Sequence, residues 1–277
     1  MEAISKFYLE DGHIEGIDNY TEDSKEKYKI IYEVIRVIDK VPLFYEEHIK
    51  RLETSFKLME TVFSYEYDKI KEYLLKLIEA NEVNNGNIKL TFDISTDTMK
   101  VFYIKHNYPS EELYKNGVKT ILYHGERINP NAKVVDNSFR EKVSAEINKA
   151  GAFEAILVNN QGYITEGSKS NIFLIKDNKL ITSPIKEVLP GITRGRIIDV
   201  AKKLGIEVIE ENVSYNELSD FQAMFISGTS PKILPIATVD NISLDVNNKV
   251  MRELMEGFNI EIDEYVKNFK NKLSFVS

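Results

Sequence analysis

The apolar residues of this chain fall into short runs separated by polar turns, a spacing that limits it to folds built from short strands and amphipathic helices. Strands are predicted at residues 28–38, 41–44, 88–92, 100–104, 153–158, 163–165, 172–175 and 180–182. The first two flank the turn residues Asp39 and Lys40, and the next two flank the polar residues 95–98. Each of these pairs is therefore predicted to form a hairpin, and hairpins are expected to dominate both halves of the chain.

Between these strands, apolar residues recur every three or four positions, which is the spacing of helices that bury one face. Helices are predicted at residues 46–59, 67–81, 138–149, 193–204 and 250–270. Helices mixed with hairpins indicate the α+β class, and 277 residues are enough for two domains. The polar segment 123–131 contains both Gly and Pro and is the predicted connection between a domain of residues 1–122 and a domain of residues 132–277.

Charge and composition exclude several classes of protein. The 36 basic and 44 acidic side chains give a net charge of −8 with no sustained basic run, so nucleic acid is not an expected partner. The sequence has no cysteine, and its four histidines are too widely spaced for a metal site. No apolar run approaches the roughly 20 residues that span a bilayer, and the N-terminus lacks a signal sequence. We expect a cytoplasmic protein that binds neither metal nor membrane.

Five segments carry residues with a chemical use. They are residues 47–52 with Arg51, Lys133, the turn of residues 165–171 with Glu166, residues 189–194 with Ile192 and Thr193, and residues 227–230 with Gly228, Thr229 and Ser230. In type, order and spacing they resemble the class IV aminotransferases of pyridoxal-phosphate fold type IV. That family includes branched-chain aminotransferases, D-amino acid aminotransferases and aminodeoxychorismate lyase. The resemblance covers most of residues 30–60 and nearly all of residues 133–240.

The resemblance implies a fold, a cofactor and partners. The implied fold is of the D-amino acid aminotransferase type, with a smaller N-terminal α/β domain and a larger C-terminal domain that carries Lys133. The implied cofactor is pyridoxal 5'-phosphate, and the implied substrates are an amino acid and a 2-oxo acid. Because relatives bury their active sites at a dimer interface, the resemblance also implies a homodimer.

The resemblance gives each of these residues a role. Lys133 would condense with the cofactor aldehyde as a Schiff base and later, as a free amine, move a proton between substrate Cα and cofactor C4′. Glu166 would lie beside the pyridine nitrogen and keep it protonated, so that the ring accepts electrons. The groups implied to bind the phosphate are a guanidinium, two N–H groups at a helix start and a glycine–threonine pair: Arg51, Ile192, Thr193, Gly228 and Thr229.

The substrate contacts are less constrained. Ser230 and Arg127 are the candidates for binding the substrate, and Lys169 is a second nearby cation. D-amino acid aminotransferases carry an arginine and a histidine after a strand like that of residues 90–94, whereas residues 93–97 here contain neither. A D-amino acid substrate is therefore not expected.

Two further segments depart from the family pattern. Residues 20–27 replace a glycine- and aromatic-rich loop that lines the substrate pocket in many relatives. Ser138 stands where branched-chain enzymes place a tyrosine near the phenolic oxygen of the cofactor.

Each residue taken alone has a simpler explanation. A lysine such as Lys133 is usually solvated, Arg51 could form a surface ion pair, Glu166 could polarise a turn, and Thr193 could be an ordinary helix N-cap. The five segments together favour the cofactor, so we predict an aminotransferase that moves an amino group from an amino acid to a 2-oxo acid. The alternatives are a 4-amino-4-deoxychorismate lyase, which uses the same lysine and cofactor, and a cofactor-binding homologue that has lost its activity.

Overall fold

The computed structural model describes residues 2–23 and 30–274, which group into two compact units. The first unit comprises Met1–Asn107, Ala132–Asn137 and Ile262–Ser277, and the second comprises Tyr108–Asn131 and Ser138–Glu261, in each case within the described residues. Both units contain helices and strands, so the predicted α+β class is confirmed. Residues 28 and 29 of the first predicted strand, and residues 24–27 of the altered N-terminal loop, lie outside the described residues.

The first unit contains a six-stranded antiparallel sheet, two whole helices and the end of the last helix. Its elements are β1 (Phe7–Glu10), β2 (His13–Gly16), β3 (Ile30–Ile38), β4 (Val41–Pro42), α1 (Tyr45–Leu58), α2 (Tyr67–Asn81), β5 (Gly86–Asp93) and β6 (Thr98–Ile104). The strand order is β2-β1-β6-β5-β3-β4. Because β3 pairs with β4 and β5 pairs with β6, both predicted hairpins are confirmed. The hairpin of β1 and β2 is not among the predicted elements, since each strand has only four residues.

The core of the first unit follows from two periodicities. Alternate residues of β3 pack with residues spaced three or four apart on α1 and α2. The fully buried members from these three elements are Ile31, Ile35, Val37, Ile49, Leu52, Ile70, Leu74 and Leu77. Glu33 lies in the same alternation, between Ile31 and Ile35, and is also fully buried. A charged group at a core position requires a partner, and α1 supplies two.

The second unit is built around a ten-stranded sheet. Its elements are α3 (Glu111–Asn116), β7 (Val118–His124), α4 (Asn137–Ala150), β8 (Glu154–Val158), β9 (Tyr163–Gly167), β10 (Asn171–Lys176), β11 (Lys179–Thr182), α5 (Ile192–Lys203), β12 (Val208–Glu210), β13 (Val213–Ser214), β14 (Ala223–Gly228), β15 (Lys232–Val239) and β16 (Ile242–Ser243). The strand order is β12-β11-β10-β14-β15-β7-β8-β9-β13, and β16 pairs with β15. The predicted strands and helices between residues 138 and 204 correspond to α4, β8 to β11 and α5.

Most neighbours in this sheet are antiparallel, as expected, but three pairs are parallel. These are β11 with β12, β15 with β7, and β7 with β8. The last helix, α6 (Lys249–Ser274), matches the helix predicted at residues 250–270. Across the described residues, every helix is too short or too polar to cross a membrane.

The two compact units differ in extent from the predicted division at residues 122 and 132. Residues 118–122 group with the second unit because β7 pairs with β8 and β15. Residues 132–137 group with the first unit because this segment pairs with the start of β3: Tyr32 N–H donates to the Lys133 carbonyl at 3.1 Å, and Val135 N–H donates to the Ile30 carbonyl at 3.1 Å. Lys133, predicted in the larger domain, thus groups with the first unit.

Candidate functional site

Glu33 on β3 binds two side chains of α1. Its carboxylate oxygens accept from Arg51 Nε at 2.8 Å and Arg51 Nη2 at 2.7 Å, and His48 Nδ1 lies 2.8 Å from Oε2. Burial opposes ionisation of Glu33, but the Arg51 guanidinium and the hydrogen bonds from Arg51 and His48 lower its pKa to about 2. Burial also lowers the pKa of His48, which favours the neutral ring, and Nδ1 then donates to the carboxylate. Arg51 is therefore fixed on α1 by a bidentate pair.

Lys133 is held against the same helix by its backbone. Its N–H donates to Ser55 Oγ at 3.2 Å, and that hydroxyl donates to the Arg51 carbonyl at 3.1 Å. The half-buried side chain places Nζ 4.8 Å from the centroid of the Tyr32 ring. Lys89 Nζ lies 5.3 Å from the same ring and forms an ion pair with Glu2 at 2.7 Å. In the first unit, α1 thus carries the Arg51 guanidinium and holds the backbone of Lys133.

Glu166 lies near the end of β9 and is 3% exposed. Oε1 accepts from Arg127 Nη1 at 3.0 Å, and Oε2 accepts from the Leu189 N–H at 3.0 Å. Asn171 pairs with Glu166 across β9 and β10, and its Nδ2 donates to the Leu189 carbonyl at 2.9 Å. The two sides of the turn therefore hold the same residue, Leu189. Arg127, a predicted substrate contact, lies against the carboxylate of Glu166.

The start of α5 supplies backbone donors in the second unit. The helix begins at Ile192, its N-cap is Gly191, and no side chain caps it. Thr193 is buried and lies inside the first turn, so it is not the N-cap, and the simpler explanation for this residue is wrong. The N–H groups of a helix's first turn and its dipole favour an anion. A Cβ at Gly191 would lie 2.0 Å from Asn171 Oδ1, so only glycine fits there.

The segment of Gly228, Thr229 and Ser230 connects β14 to β15 and is half-buried. It adjoins the Glu166 turn, because Ser227 pairs with Asn171 across β14 and β10. A Cβ at Gly228 would meet the Pro231 side chain at 3.4 Å, which is ordinary contact. Packing of the protein alone therefore does not require glycine at this position.

Several contact residues of the site are not among the predicted ones. The sequence signal for Glu33 is a lone carboxylate inside an apolar strand. The signal for Glu154, which binds the turn after Glu166, is an acidic residue at the start of a buried strand. Asn171 and Leu189 act through contacts that sequence spacing does not reveal.

Two other positions were noted in the sequence. Lys169 is exposed within the turn, and Ser138 is half-buried on α4. In the part of the chain that the structure describes, no cluster of acidic, histidine or cysteine side chains could hold a metal ion.

Comparison with known proteins identifies the family of the chain. The family described as amino-transferase class IV matches residues 30–239. The branched-chain-amino-acid aminotransferase of Escherichia coli K12 is 32% identical over 238 residues, which cover 77% of each chain. The D-alanine aminotransferase of Listeria monocytogenes is 28% identical over 229 residues, covering 77% of this chain and 79% of that protein.

Solved structures give the same result for the fold. A crystal structure of the Escherichia coli branched-chain amino acid aminotransferase superposes with a TM-score of 0.83 at 24% identity, covering 94% of this chain and 95% of that one. A protein of Legionella pneumophila, described as a candidate 4-amino-4-deoxychorismate lyase, superposes with a TM-score of 0.78 at 25% identity, covering 87% of this chain and 96% of that one.

Proposed function

The chain belongs to the class IV aminotransferase family, and from that premise we propose that Lys133, Arg51 and Glu166 are the residues with which it holds and uses its cofactor. The resemblance predicted from sequence, the fold type and the enzyme class are confirmed by the family match and by the relatives. The protein is a transaminase, and its cofactor is pyridoxal 5'-phosphate. The roles of individual residues are our proposal.

The donor set fits this cofactor in kind. When bound, pyridoxal phosphate supplies an aldehyde that condenses with amines and a pyridine ring that withdraws electrons from the substrate Cα. The chain offers an amine for the aldehyde, a buried carboxylate for the ring nitrogen, and N–H groups with a guanidinium for the phosphate. Neighbours fix the carboxylate, the guanidinium and the backbone of the lysine, which is what orienting a cofactor requires.

We propose Lys133 as the Schiff-base lysine and as the group that moves a proton at the substrate Cα. Its backbone is fixed by Ser55 and by Tyr32, so its Nζ moves only through its own side-chain torsions. The Tyr32 ring, whose centroid lies 4.8 Å from Nζ, provides a face that accommodates a cation.

The strongest support for the proposed function is the environment of the Glu166 carboxylate. A carboxylate 3% exposed and held by an arginine and a backbone N–H is an anion in a fixed position. A pyridine nitrogen beside it would be kept protonated. The pair with Arg127 supports a role for that arginine in holding Glu166 rather than in binding the substrate; Ser230 remains the proposed substrate contact.

The phosphate is proposed to bind to five groups: Arg51, the N–H groups of Ile192 and Thr193, Gly228 and Thr229. The bidentate pair with Glu33 fixes two nitrogens of Arg51 and so orients the whole guanidinium plane. The uncapped start of α5 presents N–H groups and the positive end of the helix dipole.

For substrates we propose an amino acid and a 2-oxo acid, with branched-chain amino acids as the class to test first. The name of the Escherichia coli relative supports this choice. The turn between β5 and β6 presents Asp93, Ser95 and Asp97 and has no arginine or histidine, which argues against the D-amino acid class. We also propose that the protein is a cytoplasmic homodimer, as the family resemblance implies.

The test is an absorbance titration of the purified protein with pyridoxal phosphate. We expect a visible band that Lys133→Ala abolishes and that Lys149→Ala, at an exposed lysine, leaves unchanged. Adding an amino acid should convert the band to that of the pyridoxamine form, and a 2-oxo acid should restore it. Pyruvate release from 4-amino-4-deoxychorismate, without any conversion by amino acids, would establish the lyase instead. A band with neither reaction would indicate a homologue that has lost its activity.

A further inference from the structure

The carboxylate of Glu154 lies at the start of β8 and is 6% exposed. Oε1 accepts from the Ala155 N–H at 2.9 Å, from the Ser168 N–H at 3.1 Å and from Ser168 Oγ. Oε2 accepts from Ser170 Oγ at 3.0 Å and from the Lys169 N–H at 3.4 Å. None of the lysines, arginines or histidines that the structure describes forms an ion pair with it.

A buried carboxylate without a cation must be satisfied by N–H and O–H donors. Four of the five donors here come from Ser168, Lys169 and Ser170, the residues that follow Glu166 and Gly167. The turn is thus folded around Glu154. It is also tight, because the Gly167 N–H donates to the Ser170 carbonyl at 2.7 Å and a Cβ at Gly167 would lie 2.1 Å from Ser170 Oγ.

The turn sets the separation of two residues that hold Leu189. Glu166 precedes it and Asn171 follows it, and the two are direct partners across β9 and β10. Glu166 accepts from the Leu189 N–H, and Asn171 donates to the Leu189 carbonyl. A shift of the turn would therefore move the Glu166 carboxylate relative to its donor. Reactive geometry tolerates only about 0.5 Å of such movement.

We propose that Glu154 is a positioning residue for the amino-transfer reaction: by folding residues 168–170 around its carboxylate, it holds Glu166 where the pyridine nitrogen of the cofactor is protonated. This role rests on the proposed function of Glu166. Among the described hydrogen bonds, those of the Glu154 carboxylate go only to the turn and to the Ala155 N–H, so we infer that Glu154 acts through Glu166 and not on the substrate.

The test compares Glu154→Gln with wild type in the holoenzyme loaded with ¹⁵N-pyridine-labelled pyridoxal phosphate. Glutamine keeps one acceptor oxygen but turns an amide towards N–H donors, so the turn should loosen. We expect the pyridine ¹⁵N resonance to move towards the deprotonated value and kcat to fall by about tenfold or more. Ser168→Ala, which removes a single donor, should shift both quantities in the same direction by less. This second variant also serves if Glu154→Gln fails to fold.

The matched control is Glu261→Gln, which removes a carboxylate that pairs with Arg196 and Lys203 in the same unit. It should destabilise the protein while leaving the ¹⁵N resonance unchanged. A wild-type ¹⁵N resonance in Glu154→Gln and Ser168→Ala, with kcat within about twofold of wild type, would overturn the proposal. Amide hydrogen exchange of Lys169 in the cofactor-free protein tests the turn contacts separately from the cofactor role of Glu166, because the Lys169 N–H donates to Glu154 whereas the Ser168 N–H also donates to the Ala155 carbonyl at 3.0 Å. Faster exchange in Glu154→Gln supports the turn contacts even if the cofactor role of Glu166 fails.

Discussion

At the scale of single residues, the described part of the chain buries three carboxylates, and each has a different set of partners. Glu33 accepts from a guanidinium and an imidazole, Glu166 from a guanidinium and a backbone N–H, and Glu154 from N–H and O–H groups alone. Burying a charge is costly unless its hydrogen bonds are made, so each carboxylate constrains the groups around it. Glu33 constrains the Arg51 guanidinium, which is proposed to bind the cofactor phosphate, and Glu154 constrains the turn that follows Glu166.

Replacing Glu33 with Gln should destabilise the first unit, because the Arg51 guanidinium would stay buried without its counter-charge. Breaking a buried pair from one side typically costs about 3–5 kcal/mol. Urea denaturation should show this loss in the free energy of unfolding. The control is Glu72→Gln, whose pairs with Lys69 and Lys76 lie on the exposed face of α2 and should matter little. Equal losses in both variants would contradict the assignment.

The same variant should change how stability depends on pH. The pKa of Glu33 is about 2 when folded, against an ordinary value of 4.5. As the pH falls, the unfolded chain binds the proton first, so the stability from Glu33 is complete above pH 4.5 and is lost towards pH 2. This contribution of Glu33 to the free energy of unfolding is at most about 3 kcal/mol. The difference in unfolding free energy between wild type and Glu33→Gln should therefore shrink across this range. If this difference in unfolding free energy did not change with pH, the lowered pKa of Glu33 would not be its cause.

At the scale of elements, α1 begins without a cap of its own. The residue before it, Phe44, is in the left-handed region with φ 51° and makes no side-chain cap hydrogen bond. Tyr265, in the part of α6 that belongs to the first unit, supplies one: its hydroxyl accepts from the Tyr45 N–H at 3.1 Å and donates to Glu46 at 2.7 Å. Burial and Glu46 raise the pKa of Tyr265, so the hydroxyl keeps its proton. Helix α6, which is distant in sequence, thus supplies the N-terminal cap of α1, the helix that carries Arg51.

Replacing Tyr265 with Phe removes this cap but keeps the ring that packs on Phe44. We expect a loss of about 1–2 kcal/mol in unfolding free energy, the usual value of a helix cap. Hydrogen exchange at the Tyr45 amide should become faster, because its acceptor is gone. Tyr67→Phe is the control, since the Tyr67 hydroxyl donates to Glu53 in an exposed hydrogen bond. Unchanged exchange at Tyr45 would show that the cap contributes nothing.

At the scale of the whole molecule, the parts of the fold that sequence predicts are local. The hairpins of β3–β4 and β5–β6 and five of the helices have their periodicity within a single segment. The pairing of β7 with β15 joins segments more than 100 residues apart, and no local pattern encodes it. For the same reason the grouping of residues 132–137 with the first unit does not follow from the polar connection before it.

In the candidate site, too, local sequence predicts some residues, and others follow only from long-range contacts. Lys133, Glu166 and Arg51 are recognisable because their neighbours form a pattern along the chain. The residues that position them are not, because Glu33 and Ser55 act across a strand–helix contact and Glu154 acts across neighbouring strands. A lone carboxylate in an apolar run is a signal for such residues, but its partner comes only from the fold.

Cofactor binding should stabilise the whole chain, since a ligand that binds only the folded state adds its binding free energy to stability. At a pyridoxal phosphate concentration about 100 times the dissociation constant, the gain is about 2.7 kcal/mol, or roughly 5–10 °C in Tm. Lys133→Ala should lose most of the shift at that concentration, because only the phosphate and ring contacts remain, and inorganic phosphate should give a small shift in both proteins. Calorimetry with and without the cofactor measures this, with Lys149→Ala as the control for reaction at exposed lysines. A full shift in Lys133→Ala would mean that the amine proposed to hold the cofactor lies elsewhere in the chain.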